Sequence, residues 1–245
     1  MNSATFGDGL DVGTRPILSF LMIGQSNMAG RGDIGSVPAI ENPDCLMLRM
    51  GRWQTMHEPI NPDRAIFEGK YRSGIGLAAS FADGLARTEG CRVGLIPCAD
   101  GGTRIDQWMP GGVLFDHAVM MAKLAMRQST LSGILWHQGE SDCKSEGQVA
   151  EHREKFVAMI TALRRELGAE ELPLVLGEIS EKITRISTDL IRRMNGQYRE
   201  IAGELAHCGV ASAEGLSLKP DGLHFDAAAL RTFGERYLQV YRTLV

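Results

Sequence analysis

The chain has 245 residues, of which 44% are hydrophobic and 23% are charged, as in ordinary soluble globular proteins. Its formal net charge of −4 gives no electrostatic reason to expect nucleic acid or an anionic membrane surface as a partner. The five cysteines include no CxxC pair, which argues against a disulfide framework and a zinc knuckle and favours a reduced, cytoplasmic setting.

Residues 1–15 show no basic start followed by an apolar core, so they predict no signal peptide and are interpreted as an N-terminal extension. The apolar runs further along the chain are too short to span a bilayer. The sequence contains no internal repeat, linker or low-complexity segment. We therefore expect residues 1–245 to form one domain.

Short apolar runs alternate with amphipathic stretches along the chain. The apolar runs predict five strands, at 17–23, 92–97, 133–136, 174–179 and 209–212. Helical periodicity predicts five helices, at 77–87, 114–128, 147–167, 187–206 and 226–244. Because the strands are apolar almost throughout, helices are expected to cover both faces of the sheet. The pattern predicts an α/β fold with a five-stranded, mainly parallel sheet.

Residues 30–73 depart from this alternation. They are rich in Gly, Pro, Asn and Arg, and only 45–49 resembles a short strand. Long irregular segments in compact domains are often functional, and ligands of open α/β sheets bind at the carboxyl ends of the strands. The polar motifs that directly follow the predicted strands are therefore the candidates for a site.

Ser26 follows the first predicted strand, within the segment GQSNM. A serine at a strand-to-helix turn projects its hydroxyl into the crevice, and its backbone N–H points to where an oxyanion would form. The segment differs from the GxSxG elbow, because Met28 occupies the last position and the strand is the first in the chain. A plain helix cap is the alternative interpretation of Ser26.

Asp221 and His224 precede the last predicted helix and are three positions apart. In a loop with this spacing, the carboxylate can hold the Nδ1–H group of the imidazole. The other ring nitrogen is then free to take a proton from a serine hydroxyl. The alternative is a surface histidine in a polar turn.

Oxyanion donors are expected after two further strands. Gly101 and Gly102 follow the second predicted strand, where paired glycines allow close backbone approach and can aim an N–H group at a developing negative charge. No phosphate-loop lysine follows them, and an ordinary tight turn is the alternative. Gln138 follows the third strand and can offer its side-chain amide as a further donor.

The segment around Gln138 also holds potential metal ligands, namely His137, Glu140, Asp142 and Cys143. Their spacing matches no zinc pattern, so neither a metal nor another cofactor is expected. A serine, a glycine pair, an amide and an Asp-x-x-His motif, each after a different strand, together provide the groups that acyl transfer requires.

Four segments resemble the motif blocks of the SGNH hydrolase superfamily, in the family's order. They are GQSNMAGRG at 24–32, PCADGGTRIDQW at 97–108, WHQGESD at 136–142 and DGLHFD at 221–226. The sequence is most similar to carbohydrate esterase family 6 and the sialic-acid-specific acetylesterases, from about residue 17 to the C-terminus. The resemblance implies a three-layer flavodoxin-like fold and metal-free hydrolysis of acetyl esters.

The resemblance also implies roles for single residues. Ser26 matches the nucleophile, His224 the base and Asp221 the carboxylate that orients the base. Glu140 is an alternative orienting carboxylate, because relatives in this branch can use the glutamate of the HQGE block. Backbone N–H groups of Ser26 and Gly102 match the oxyanion hole, with Gly101 as the near alternative to Gly102. Gln138 stands where many SGNH enzymes carry an oxyanion-hole asparagine.

Four further residues are candidate substrate contacts: Gln25, Asn27, Arg104 and Trp108. Gln25 and Asn27 flank the predicted nucleophile. Arg104 can meet a carboxylate of the substrate or pair with Asp106. Trp108 and Trp53 can form a stacking wall for sugar rings, or pack in the core.

These observations predict a serine esterase that removes O-acetyl groups from carbohydrates through an acetyl-enzyme intermediate. The expected partner is a small acetylated carbohydrate, either an acetylated xylan-type oligosaccharide or an O-acetyl sialic acid. An SGNH lipase or thioesterase acting on other short acyl esters is the first alternative. A non-catalytic carbohydrate-binding relative is the second. The sequence gives no indication of the oligomeric state.

Overall fold

The computed structural model describes residues 15–62 and 72–245, so nearly all of the expected N-terminal extension at 1–15 lies outside the described residues. A sheet of seven strands forms the centre, in the order β3-β2-β4-β1-β5-β6-β7. All neighbouring strands are parallel except the pair β2 and β3. The strands are β1 (Ile17–Gly24), β2 (Cys45–Arg49), β3 (Arg52–Thr55), β4 (Arg92–Pro97), β5 (Thr130–His137), β6 (Leu174–Gly177) and β7 (Cys208–Ala211).

Helices cover both faces of this sheet, as the apolar strands predict. The helices are α1 (Ser26–Ala29), α2 (Ala78–Glu89), α3 (Val113–Ala125), α4 (Glu146–Glu166), α5 (Thr188–Glu204) and α6 (Ala227–Arg242). Leu21 of β1 packs in the hydrophobic cluster with α3, α4 and α5, whereas Phe20 packs in the cluster with α2 and α6. The arrangement is therefore three-layered, with one core on each face of the sheet.

The predicted count of five strands is wrong, because β2 and β3 extend the sheet at one edge. They form an antiparallel hairpin in which Leu48 lies opposite Trp53, closed by Met50 and Gly51, both with positive φ. Residues 52–55 are mostly polar and number only four. A strand of this kind at the sheet edge carries too little apolar character to be recognised by periodicity.

The five predicted long helices are confirmed, with boundaries that differ by up to three residues. Asp226 caps α6, because its carboxylate accepts a hydrogen bond of 2.8 Å from the N–H group of Ala229. Gly168 stands just past α4 with φ +60, as expected for a helix stop. None of the helices in the described part of the chain combines the length and apolar character needed to cross a bilayer.

The middle of the sheet brings the motif blocks together. β1 lies between β4 and β5, so the segments that follow these three strands meet at one edge of the sheet. Gly24 ends β1 with φ +129, and a Cβ atom there would lie 2.1 Å from the carbonyl oxygen of His137. Because only glycine fits this close approach, Ser26 is brought against the segment that follows β5.

Candidate active site

Ser26 lines a cavity of about 650 Å³ at the carboxyl edge of the sheet. The chain turns directly from β1 into the short helix α1, in which the N–H groups of Met28 and Ala29 both donate to the carbonyl oxygen of Gln25. The N–H groups at the start of a helix have no partner within it. The backbone N–H of Ser26 is therefore available at the same place as its hydroxyl.

His224 reaches Ser26 from a loop 198 positions away in the chain. Its Nε2 atom lies 3.0 Å from the Oγ atom of Ser26, and its Nδ1 atom lies 2.7 Å from Oδ2 of Asp221. An isolated bridge between Leu218 and Phe225 closes the loop. The carboxylate fixes Nδ1–H on the imidazole, which leaves Nε2 as an acceptor for the serine proton.

The carboxylate of Asp221 is held in the ionised form by its own loop. Oδ1 accepts hydrogen bonds of 2.9 Å from the N–H groups of Leu223 and His224. Burial opposes ionisation, but these two N–H groups and the imidazole outweigh it and lower the pKa of Asp221 to about 2. A negative charge therefore faces the imidazole at neutral pH, ready to stabilise its protonated form.

Gly101 and Gly102 line the cavity beside Ser26. A Cβ atom on Gly101 would lie 3.6 Å from the Cβ atom of Ser26 and 2.6 Å from a guanidinium nitrogen of Arg31. Gly102 has φ +77 with open space around its α-carbon, a conformation that glycine adopts at no steric cost. The loop after β4 thus brings backbone N–H groups close to the serine.

Gln138 does not fit the predicted role of an oxyanion donor. Its side chain is fully buried, and its amide nitrogen donates to the carbonyl oxygen of Thr103 and to the carboxylate of Asp142. The amide oxygen accepts from His152 at 3.2 Å. Burial lowers the pKa of His152 to about 4, so this imidazole is neutral. Both N–H groups of the amide are engaged, and the prediction for Gln138 is wrong.

Gln25 was predicted only as a substrate contact, and its side-chain amide is less engaged than that of Gln138. It lines the cavity next to Ser26. Its Oε1 atom accepts from the N–H group of Ser141 at 3.4 Å. Among the described residues its amide nitrogen has no hydrogen-bond partner within the protein, so the N–H groups remain free for a ligand in the cavity.

Asn27 was predicted as a substrate contact and is instead fully buried. Its Nδ2 atom donates to Oε1 of Glu140 at 2.7 Å, and its Oδ1 atom accepts from the N–H group of Phe225 at 3.2 Å. Glu140 lies 3.3 Å from Nε2 of His137. Burial opposes ionisation of Glu140, but His137 and Asn27 keep its pKa below the usual value. The alternative that Glu140 orients His224 has no support, because Nδ1 of His224 faces Asp221.

The predicted stacking wall for sugar rings is wrong. Trp108 is 1% exposed, and its indole N–H donates to the hydroxyl of Thr103 at 3.1 Å. Its ring packs edge-to-face on Trp136 with a centroid distance of 5.5 Å. Trp53 is 4% exposed and covers Gly94 in the core. Both rings therefore take part in packing, the alternative weighed from the sequence.

Arg104 is engaged by two carboxylates. Its guanidinium lies 3.1 Å from Asp106 and 3.3 Å from the buried Asp142, and it lies outside the lining of the cavity. The predicted contact with a substrate carboxylate is therefore not supported, and the alternative pairing with Asp106 is present.

Part of the cavity lining comes from segments that carry no sequence motif. It includes the exposed cations Lys144 and Arg185 and the apolar side chains Ile186 and Leu190. Neither cation has a carboxylate partner among the described residues. The described part of the chain contains no cluster of three or more His, Cys, Asp or Glu side chains suited to hold a metal ion.

The comparison with known proteins decides the family. A family model described as carbohydrate esterase, sialic acid-specific acetylesterase, matches residues 17–243. The chain belongs to this family of carbohydrate esterases. A probable carbohydrate esterase from Arabidopsis thaliana is 30% identical over 241 residues, which cover 91% of this chain and 89% of the relative.

Solved structures of other proteins agree with the fold. An Arabidopsis thaliana protein superposes with a TM-score of 0.82 at 25% identity, over 94% of this chain and 98% of that one. NanS superposes with a TM-score of 0.76 at 15% identity, over 94% of this chain and 97% of its own, a likeness of fold. The esterase is thus a carboxylic ester hydrolase with a fold similar to that of the SGNH hydrolases, as the motif blocks imply.

Proposed function

We propose that this carbohydrate esterase removes O-acetyl groups from sugars with Ser26 as nucleophile, His224 as base and Asp221 as the carboxylate that orients the base. The observation that carries the proposal is the unbroken hydrogen-bonded series from Asp221 through His224 to Ser26 in the lining of the cavity. Such a series is the arrangement by which a serine hydroxyl is activated for acyl transfer.

In the proposed reaction, Nε2 of His224 takes the proton of Ser26 as the Oγ atom attacks the acetyl carbonyl carbon. The tetrahedral intermediate collapses when the bond to the sugar oxygen breaks and His224 returns the proton to that oxygen. Water then attacks the acetyl-enzyme, giving one proton to His224, and acetate leaves as Ser26 is reprotonated. Asp221 keeps its charge throughout and stabilises the imidazolium.

Three donors are proposed to stabilise the oxyanion. The backbone N–H groups of Ser26 and Gly102 lie on the two loops that meet at the cavity. The side-chain amide of Gln25 is the third, in place of Gln138. This choice is supported by the free N–H groups of Gln25 at the cavity and by the engagement of both N–H groups of Gln138.

Exchanging each glutamine for alanine tests the choice between them. We expect Gln25→Ala to lower kcat by about 10²–10³-fold with a smaller change in KM, as for other lost oxyanion donors. Gln138→Ala leaves the carbonyl oxygen of Thr103 and Nε2 of His152 without this partner and removes one hydrogen bond of Asp142, so its main effect should be a lower melting temperature. Steady-state kinetics and thermal unfolding of both variants give the answer. A Gln25→Ala enzyme with unchanged kcat excludes Gln25 from the oxyanion hole.

The rim of the cavity favours an acidic sugar over a neutral xylan-type oligosaccharide. Lys144 and Arg185 are exposed cations without a carboxylate partner among residues 15–62 and 72–245, and both line the cavity. The carboxylates at the cavity, Glu140 and Asp221, are both held by histidines. Lys144 and Arg185 are therefore exposed positive charges that suit a substrate carboxylate, whereas Asp221 keeps its own negative charge within the loop of His224.

Removing the positive charges of Lys144 and Arg185 should raise KM for acidic substrates and not for neutral ones. For the double variant Lys144→Gln/Arg185→Gln, we expect KM for an O-acetyl sialic acid to rise by about fivefold, since exposed charge pairs contribute up to about 1 kcal/mol and one decade costs about 1.4 kcal/mol. KM for a neutral acetylated xylo-oligosaccharide should stay constant. Arg127→Gln, which removes an exposed cation just before β5 at the opposite edge of the sheet, is the control. Equal effects on both substrates contradict the assignment.

A further inference from the structure

The two reacting side chains come from separate segments, and their separation has to be fixed by something between them. The loop of His224 is held together internally by Asp221 and by the bridge between Leu218 and Phe225. These contacts orient the imidazole within its own loop. They do not set how far that loop lies from Ser26.

Asn27 joins the two segments directly. It follows the nucleophile in the chain, and its Oδ1 atom accepts a hydrogen bond of 3.2 Å from the N–H group of Phe225, the residue after His224. Its Nδ2 atom donates to Glu140 at 2.7 Å. Asn27 and Phe225 are fully buried, and the Glu140 side chain is 2% exposed. Hydrogen bonds in such surroundings are shielded from competing water.

Glu140, the second partner of Asn27, is itself in contact with the end of strand β5. His137, the last residue of β5, lies with Nε2 3.3 Å from Glu140, and its carbonyl oxygen accepts from the N–H group of Gln25 at 2.8 Å. The ring of Phe225 packs edge-to-face on the imidazole of His137 at a centroid distance of 5.9 Å. The segment of Ser26 and the loop of His224 thus both contact the end of β5.

We infer that Asn27, supported by Glu140 and His137, is a positioning residue that sets the distance between Ser26 and His224. The inference rests on the proposed function, which makes these two side chains the nucleophile and its base. Without the amide of Asn27, the pair Asp221–His224 stays intact because it lies within one loop. The loop is still joined to the segment after Ser26 through Lys219 and the carbonyl oxygen of Arg31, but the buried contact next to the reacting pair is lost, so the contact from His224 to Ser26 is loosened. Misplacement of a reacting group by about 1 Å can lower kcat by about 10²-fold.

The test compares Asn27→Ala with Asn195→Ala. Asn195 is a matched control, because it is also buried and also makes two hydrogen bonds, with the N–H and carbonyl groups of Ile179, away from Ser26. Both variants should lose similar amounts of stability in chemical unfolding. Only Asn27→Ala should lower kcat, by about 10²-fold, with KM nearly unchanged.

Two measurements separate positioning from a general loss of structure. The rate at which a phosphonate ester labels Ser26 should fall in Asn27→Ala, because labelling needs the serine proton to reach His224. The downfield proton NMR signal of the Nδ1–H group bound to Asp221 should remain. If Asn27→Ala does not fold, the double variant Asn27→Asp/Glu140→Gln serves instead. The carboxylate introduced at position 27 accepts from the N–H group of Phe225, and the amide introduced at position 140 donates to that carboxylate. This variant should label at a rate within about tenfold of the native enzyme, because both hydrogen bonds of position 27 are retained, whereas their loss should cost about 10²-fold.

Ser26→Ala is measured in parallel so that the two proposals can fail separately. A fully active Ser26→Ala enzyme overturns the proposed function and the positioning role together. An inactive Ser26→Ala enzyme beside an Asn27→Ala enzyme with native kcat overturns the positioning role alone. Equal losses of kcat in Asn27→Ala and Asn195→Ala, or loss of the Nδ1–H signal, also overturn it, as does a swapped variant that labels Ser26 about 10²-fold more slowly than the native enzyme.

Discussion

Ser26→Ala is expected to lower kcat for a chromogenic acetate ester by about 10⁶-fold, the loss seen when the nucleophile of a serine hydrolase is removed. The side chain removed is small and 6% exposed, so the fold should be retained. Its hydroxyl is the only one within hydrogen-bonding distance of Nε2 of His224 among the described residues. Burst kinetics of acetate and alcohol release should show that the acetyl-enzyme no longer forms.

His224→Ala should be as damaging as Ser26→Ala, and the double variant should be no worse than either. Groups that act as one unit in a single step give such non-additive losses, because either change alone already removes the activated hydroxyl. Additive losses in the double variant, or near-native turnover in Ser26→Ala, would contradict the proposed nucleophile. The control for folding is the melting temperature, which should change little in all three variants.

The fold could be predicted from the sequence where elements are long and apolar. The five predicted helices are present because periodicity and end signals, such as Asp226 and Gly168, agree with one another. The hairpin β2–β3 could not be counted, because Trp53 is the one buried residue of β3 and three polar or exposed residues surround it. Its pairing with β2 is a tertiary contact that local pattern does not contain.

For the site, the sequence predicted which segments come together, but it did not predict which side chains face the cavity. Gln25 and Asn27 belong to the same motif block but differ in their surroundings. Gln25 lines the cavity, whereas Asn27 is buried and donates a hydrogen bond to Glu140. Gln138 is likewise buried by its contacts with Thr103 and His152. The depth of a side chain depends on its neighbours in space, and a motif contains no information about them.

Nothing in the sequence indicates that the two exposed cations at the cavity, Lys144 and Arg185, belong to the candidate site. Lys144 and Arg185 stand in loops before α4 and α5, where isolated charged residues are most often solvated. Only the sheet order, which brings the segment after β6 beside the segment after β5, turns them towards the same cavity. The proposed preference for an acidic sugar therefore depends on residues in loops, whereas Ser26 directly follows the central strand β1.

Asp221→Asn is expected to lower kcat by about 10⁴-fold while the Ser26 hydroxyl stays in place, as found when the orienting aspartate of a triad becomes an amide. The amide can donate to Nδ1 of His224, which favours the tautomer with the proton on Nε2. That nitrogen then has no lone pair for the serine proton. Melting temperatures and steady-state kinetics on the same acetate ester measure the effect.

The pH dependence of this loss follows from the ionisation of Asp221. Its pKa is lowered to about 2 in the folded enzyme, so the carboxylate is charged at every pH above that value and loses its charge only as the pH falls through it. Titration of Asp221 therefore cannot shape the activity near neutral pH, and the loss in Asp221→Asn should be the same across that range. A loss confined to the basic or acidic end would contradict a purely orienting role.

Glu140→Gln is the matched comparison, since it also converts a carboxylate into an amide close to the nucleophile. The introduced side chain keeps an oxygen that can accept from Asn27, so kcat should fall far less than in Asp221→Asn. The two variants distinguish the two carboxylates by mechanism: one acts on the tautomer of His224, the other on the position of its loop. If Glu140→Gln is the crippled enzyme and Asp221→Asn is nearly native, the orienting carboxylate is Glu140, reached through a rearrangement of the loop on substrate binding.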